Sequence, residues 1–109
     1  MSKYELENAS KFFEQFDENT KKEFAIDGFM VEISTIFIKY RVKNNISQRE
    51  LAKRLGISQA MVSKLESGDY NPSIRLLCES FQKLGLEMKL VVSEPQSDEM
   101  IGMCDLMKG

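Results

Sequence analysis

Residues 47 to 68, SQRELAKRLGISQAMVSKLESG, contain two short amphipathic stretches joined by one glycine. Each stretch begins with Ser-Gln, at positions 47–48 and 58–59. A serine hydroxyl at a helix start can cap free backbone N–H groups, and the glutamine amide beside it can both donate and accept hydrogen bonds. Phosphates and base edges are recognised by groups of this kind. The segment therefore predicts contact with nucleic acid.

The charge distribution agrees with this prediction, although the whole chain carries a formal net charge of −2. Residues 39–75 hold eight basic and three acidic side chains, for a net charge of +5, whereas residues 1–38 carry −4 and residues 76–109 carry −3. A basic segment is the electrostatic footprint expected of a nucleic-acid surface. A merely solvated basic face would look the same, so charge alone does not decide between the two.

Composition argues against a membrane protein, a secreted protein and an enzyme. The chain has no apolar run of about 18 residues, as a membrane span needs, and its N-terminus lacks the apolar core of a signal peptide. It contains no histidine, and Cys78 and Cys104 do not have the spacing of a metal site. Without a nucleophile–base pair or a metal cluster, we expect no catalytic residue, no metal and no cofactor. Free cysteines fit a cytoplasmic location.

The spacing of apolar residues predicts a mainly helical chain. An amphipathic helix is expected over residues 5–16, followed by breaks at residues 17–19 and at Asp27-Gly28. A further helix is expected over residues 29–43. Its β-branched residues would also suit a strand, but its apolar positions do not alternate cleanly, which favours the helix.

Capping signals delimit three more helices. Ser47 and Glu50 form a capping box, and Ser58 and Ser73 suit the starts of the next two helices. Gly56 suits a left-handed turn between the first two of them. Two short helices joined in this way form a helix-turn-helix.

The C-terminal region predicts one strand and a tail. Apolar and charged residues alternate over residues 86–92, as in a β-strand, whereas residues 93–109 show no period and are expected to be flexible. Because a lone strand is not stable unpaired, we expect a second copy of the chain to pair with it. The predicted organisation is an acidic helical arm over residues 1–28, a DNA-binding domain over residues 29–92 that ends in the dimerisation strand, and the tail.

The motif residues resemble those of the Xre/Cro-type repressor domains. That family has a T/S-Q-x-x-L-A helix, a G-V/I-S/T turn and an S-x-x-E-x-G recognition helix, which here are SQRELA, GIS and SKLESG. The resemblance covers roughly residues 33–84. It implies sequence-specific DNA binding and a mainly α fold: a five-to-six-helix domain with an N-terminal helical arm and one C-terminal β-strand.

The resemblance also assigns roles to individual residues, because it places the second motif helix in the major groove. There Gln59 can pair with adenine, Ala60 can touch a thymine methyl group, and Lys64 can reach guanine or a phosphate. Gln48 matches a family glutamine that holds a phosphate. The expected DNA-contact residues are Gln48, Ser58, Gln59, Ala60, Met61, Ser63, Lys64, Asn71 and Arg75.

Several motif residues have structural explanations beside the functional ones. Ser58 is chiefly a cap, and Met61 stands where the family often has a small polar residue. Arg41 and Glu66 match a pair that is salt-bridged across helices in similar repressors, which favours a structural role for both.

The flanks resemble those of HigA-type and HipB-type antitoxins, with LGLEMKLVV after the motif and an acidic helical arm before it. Such antitoxins bind a basic, RelE-like messenger-RNA-cleaving toxin and repress their own promoter. The implied partners are a palindromic double-stranded DNA operator, a second copy of the chain, and a basic ribonuclease toxin encoded by a neighbouring gene, with no membrane. Phe12, Phe13 and Phe16 of the arm are the expected apolar anchors for that toxin.

Two alternatives remain open from the sequence. The first is a stand-alone small Xre-family transcriptional repressor without a toxin. The second is a protein-interaction module built on a helix-turn-helix that no longer binds DNA. Retention of Gln48, Gln59 and Lys64 argues against the second alternative.

Overall fold

The computed structural model describes residues 3–97 and 99–107, and the side chains of residues 3–7 and Phe13 lie outside that description. Within it, five helices precede two strands. Their bounds are α1 (Lys3–Glu14), α2 (Glu18–Asn44), α3 (Gln48–Leu55), α4 (Gln59–Ser67), α5 (Ile74–Lys83), β1 (Met88–Ser93) and β2 (Met100–Leu106). The mainly α helix-turn-helix fold is confirmed. None of the described helices is both long enough and apolar enough to cross a membrane.

Helix α2 runs without interruption through Asp27-Gly28, where the sequence predicted a break. A side chain at Gly28 would meet nothing within 4 Å, so no close packing explains the glycine. Glycine inside a helix costs only about 1 kcal/mol relative to alanine, which the rest of a long helix can offset. The helix ends at Asn44, one residue beyond the expected end. Its C-cap is Asn45, which has φ 53° and donates its N–H to the carbonyls of Arg41 and Val42. The predicted boundary after residue 28 therefore lies inside one helix.

The core forms where α2, α3, α4 and α5 meet. Its buried apolar side chains are Phe37, Leu51, Ala52, Leu55, Val62, Leu65, Leu77 and Phe81. The rings of Phe37 and Phe81 stack with their centroids 5.2 Å apart, which joins α2 to α5. Removal of apolar surface from water, at roughly 25 cal/mol per Å², is the main force that holds the four helices together.

The turn between α3 and α4 is fixed by backbone and side-chain hydrogen bonds. Gly56 has φ +68°, and the N–H of Ile57 reaches back to the Ala52 carbonyl at 3.1 Å. Lys83 Nζ, from α5, donates to the Leu55 carbonyl at 2.9 Å, which satisfies a carbonyl at the end of α3. These hydrogen bonds, made by residues before and after Gly56, therefore fix the angle between α3 and α4.

The C-terminal region is an antiparallel hairpin of β1 and β2, in which Leu90 lies opposite Cys104 and Val91 opposite Met103. The sequence predicted only the first strand and a flexible tail. The second strand was not predicted from the sequence, because the apolar residues of MIGMCDL do not alternate with polar ones. The premise that the first strand lacks a partner in its own chain was wrong.

Candidate nucleic-acid interface

Helix α4 presents one polar face outward because its opposite face is anchored in the core. Val62 and Leu65 are buried against the other helices. The positions that remain exposed lie at spacings of one and four, on the other side of the helix. They are Gln59, Ala60, Ser63, Lys64 and, in the last turn, Ser67. The structure thus brings four of the predicted base-contact residues together on one accessible face.

The start of α4 combines a cap with an inward-facing residue. Ser58 Oγ accepts the backbone N–H of Met61 at 3.1 Å, as expected of a cap. The Met61 side chain is half-buried and packs against the core. Of the predicted DNA-contact residues on α4, Met61 therefore has its side chain the least available to a base.

Gln48, the first residue of α3, is half-buried, and its side chain is held by Glu66, a contact that the sequence did not predict. Its Nε2 donates to Glu66 Oε1 at 3.0 Å, across a separation of 18 residues. An amide nitrogen carries two hydrogens, so one N–H remains for a phosphate. The sequence contains no local signal for this bond, because it joins the start of α3 to the end of α4.

Glu66 is held by α2 as well as by α3. Arg41 donates from Nε to Oε2 at 2.6 Å and from Nη2 to Oε1 at 2.8 Å, which makes the ion pair bidentate. Burial by itself would raise the pKa of Glu66, but the hydrogen bonds from Arg41 and Gln48 and the Arg41 charge lower it below its ordinary value. The same pairing raises the pKa of Arg41. The structural role expected for these two residues matches this geometry.

The two predicted contacts beyond α4 are both exposed. Asn71 lies in the segment between α4 and α5, and Arg75 lies in the first turn of α5. Arg75 Nη1 is 3.5 Å from Glu79 Oε1, but its side chain is 86% exposed. A surface pair of this kind holds a guanidinium only weakly, so Arg75 can still reach a phosphate.

The acidic residues inside the basic segment are mostly engaged by its bases. Glu66 pairs with Arg41, and Glu50 Oε1 lies 3.9 Å from Arg54 Nε. Lys64 has no ion-pair partner among the described residues, so its positive charge stands free on the outward face of α4. The helix starts of α3 and α4 add exposed N–H groups, which attract phosphate.

The N-terminal aromatic residues pack among themselves. Phe16 contacts Phe12 edge to face at a centroid distance of 5.0 Å and contacts Phe24 in the same way at 5.1 Å. Phe16 is half-buried, whereas the Phe12 side chain is 59% exposed. The Phe13 side chain lies outside the described part of the chain. Of the three predicted anchors, Phe12 is thus the one observed to be accessible.

Metal chemistry has no candidate site among the residues described. Within 3–97 and 99–107, no group of three or more histidine, cysteine, aspartate or glutamate side chains could hold a metal ion. Cys78 is half-buried, Cys104 is exposed, and neither forms a disulfide.

Comparison with known proteins identifies the class. The family described as helix-turn-helix matches residues 37–89, which extend from the last turns of α2 through α5 to the start of β1. An uncharacterized helix-turn-helix-type transcriptional regulator of Methanocaldococcus jannaschii is 34% identical over 50 residues, which cover 46% of this chain and 76% of the relative. The chain belongs to this helix-turn-helix family and is a DNA-binding regulator, and family membership indicates a DNA-binding protein and not an enzyme.

Two further relatives match parts of the chain. A helix-turn-helix-type transcriptional regulator of Archaeoglobus fulgidus is 47% identical over 38 residues, which cover 35% of this chain and only about half, 54%, of the relative. Antitoxin HipB of Escherichia coli O6:H1 is 36% identical over 66 residues, which cover 61% of this chain and 70% of the relative. No solved structure matches the chain.

Proposed function

We propose that this protein is the antitoxin of a toxin–antitoxin pair, which binds operator DNA as a homodimer and represses its own operon. It also neutralises a basic, RelE/HigB-like toxin that cleaves messenger RNA. The observation that carries the proposal is an acidic helical arm with exposed apolar side chains, which DNA binding does not explain. The likeness to the HipB antitoxin supports the same reading.

Operator recognition rests on the outward face of α4 and its surroundings. Gln59 and Lys64 read base edges, with Ala60 against a thymine methyl group and Ser63 beside them. The remaining contacts, which go to the backbone or the groove edge, are assigned to Gln48, Ser58, Met61, Asn71 and Arg75. Backbone contacts set the register, and base contacts supply the specificity.

Toxin binding is assigned to the arm. Phe12 and Ile26 are each about 60% exposed, at 59% and 62%. Residues 1–28 hold four basic and seven acidic side chains, for a net charge of −3. A ribonuclease must be basic where it holds RNA phosphates, so an acidic surface attracts it and covers the same groups. Exposed aromatic side chains supply the apolar contact area.

Dimerisation is assigned to the C-terminal hairpin. A two-stranded hairpin is marginal alone in water, and several of its apolar side chains are exposed by half or more, including Val91 at 54% and Met103 at 51%. A second copy can cover this surface or extend the sheet at an open edge. Two recognition helices would then lie about 34 Å apart and read a palindrome.

The runner-up function is a stand-alone repressor without a toxin. The archaeal relatives favour it, because they are named only as transcriptional regulators.

The experiment is co-purification of the full chain with the basic protein encoded by the adjacent reading frame, followed by a messenger-RNA cleavage assay. The parent chain should form a complex and suppress cleavage. The Phe12→Ser/Ile26→Ser variant should bind operator DNA normally but lose most of the suppression. The control is Val42→Ser, an apolar residue of α2 that is 73% exposed at the other end of the helix. Suppression by the double variant at the level of the parent would exclude the arm, and a parent without effect on cleavage would favour the stand-alone repressor.

A further inference from the structure

A cavity of about 490 Å³ opens between the middle of α2 and the segment that follows α4. One wall is apolar and consists of Ile26, Met30 and Val31 of α2. Two carboxylates, Asp27 and Asp69, also line the cavity. Ile26 and Val31 are 62% and 51% exposed, so this wall offers apolar surface to a ligand from solvent.

The cavity wall is rigid because the end of α4 sits directly on α2. Gly68 has φ +87°, and a Cβ there would lie 3.2 Å from Val31 Cγ2. Ser67 Oγ and Asp69 Oδ1 are 2.6 Å apart, so a hydrogen bond holds the Asp69 carboxylate close to the helix end. The two carboxylates therefore come from elements that are fixed relative to one another.

The charge of the cavity distinguishes it from the DNA surface beside it. Neither Asp27 nor Asp69 has an ion-pair partner in the part of the chain that the structure describes. Two carboxylates without ion-pair partners repel phosphate, so the DNA backbone is a poor occupant of the cavity. An apolar wall next to carboxylates suits a side chain with an aliphatic stem and a cationic head.

We propose that this cavity receives a lysine or arginine side chain of a basic protein partner. The stem would pack on Ile26, Met30 and Val31, and the cation would lie between Asp27 and Asp69. The identity of the partner rests on the proposed function, but the preference of the cavity for a cation does not. Asn71 also lines the cavity and is a proposed phosphate contact, so a partner seated there would meet the segment that DNA needs.

The cation preference can be tested by NMR titration of the full chain with n-butylguanidinium, a minimal arginine side chain. Amide shifts should concentrate at Met30, Gly68 and Asp69. n-Butanol and pentanoate, which have the same butyl stem but a neutral or an anionic head, should shift these amides much less. Asp27→Asn/Asp69→Asn should weaken n-butylguanidinium binding roughly fivefold, because each exposed ion pair contributes modestly. The matched control is Glu23→Gln/Glu32→Gln, which changes two exposed acids of α2 outside the cavity and should bind as the parent does.

Equal shifts with pentanoate, or shifts spread over the whole acidic surface, would overturn the proposal. With the toxin in hand, the Asp27→Asn/Asp69→Asn variant should also neutralise it less well. Unchanged neutralisation by this variant would overturn the cavity as the partner's site and leave the proposed function intact. Conversely, a chain that binds n-butylguanidinium at the cavity but neutralises no toxin would support the cation site and overturn the proposed function.

Discussion

Glu66 on α4 accepts two hydrogen bonds from Arg41 on α2, at 2.6 and 2.8 Å, and its side chain is only 6% exposed. The same carboxylate accepts the amide of Gln48, from the head of α3. One buried charge therefore joins three helices, and it holds the proposed phosphate contact in place beside the recognition helix.

The stability of the fold should depend on the charge of Glu66. Its pKa is lowered below the ordinary value of 4.5 by the bonds from Arg41 and Gln48, despite burial. Because the pKa is lower in the folded state, ionised Glu66 contributes its full stabilisation of the fold above the ordinary pKa of 4.5. This contribution is lost as the pH falls through the lower, folded-state pKa. Urea melts of the parent should show the free energy of unfolding falling over that acidic range. Glu66→Gln should be less stable at neutral pH, by about 3 kcal/mol, and should lose less on acidification.

Asp17 provides the control for this pH dependence. Asp17 caps α2 by accepting the backbone N–H of Thr20 at 2.7 Å. Its pKa is also lowered, chiefly by that hydrogen bond, but it lies far from the ion pair in sequence. Asp17→Asn keeps a capping oxygen and should retain most of the parent's pH profile. An unchanged profile in Glu66→Gln would show that other carboxylates dominate acid unfolding.

Base contacts and phosphate contacts should separate in binding measurements. Gln59→Ala and Lys64→Ala should each cost about 1–3 kcal/mol on the operator and relax its sequence preference. Gln48→Ala should weaken binding to all sequences alike. Fluorescence anisotropy with operator and scrambled DNA measures both effects, and Lys22→Ala, in the arm, controls for loss of positive charge. Operator binding by the Gln59→Ala/Lys64→Ala variant at the level of the parent would exclude α4 as the reading helix.

Dimerisation through the hairpin can be tested without deleting it. Val91 and Met103 lie opposite each other and are exposed. Val91→Glu with Met103→Lys replaces the apolar pair by an ion pair across the strands, which preserves the hairpin but removes its apolar surface. Sedimentation should show monomers, with weaker operator binding. Exchange of Lys89 and Asp105, another opposite pair, is the control. A persistent dimer in the Val91→Glu/Met103→Lys variant would direct attention to the helices.

Two glycine substitutions should change stability in opposite directions. Gly28→Ala adds a methyl group to a helix interior with nothing within 4 Å and should stabilise the fold by about 0.5–1 kcal/mol. Gly68→Ala forces a side chain into φ +87°, 3.2 Å from Val31 Cγ2, and should destabilise it by more than about 1 kcal/mol. Thermal melts measure both. Equal effects would mean that the end of α4 does not rest on α2.

The parts that were predicted correctly from the sequence are those encoded locally. Ser47, Ser58 and Ser73 cap their helices through the N–H three residues on, because a cap needs only its own first turn. Gly56 adopts the left-handed turn for the same local reason. The exposed face of α4 also followed from local periodicity, once Val62 was assigned to the core.

The parts that were missed depend on contacts distant in sequence. The second strand forms because it pairs with β1. Its segment MIGMCDL lacks the alternation of apolar and polar residues by which a strand is predicted from sequence. The bond from Gln48 to Glu66 and the shared cavity of Asp27 and Asp69 require the packed helices. The break expected at Gly28 was wrong because the cost of one glycine is small against a helix of 27 residues.

The unbroken helix α2 joins the arm to the DNA-binding domain without a flexible linker. At about 1.5 Å per residue, its 27 residues span roughly 40 Å. Arg41 ties one end to α4, and Phe24, near the other end, contacts Phe16. A flexible linker would let a bound partner adopt many orientations relative to the DNA-binding domain, whereas a continuous helix restricts the partner to a narrow range of orientations. A protein bound to the arm would therefore approach the DNA duplex at a fixed angle. Whether it could contact a protein on a neighbouring operator would depend on the helical phase of the DNA between the two operators.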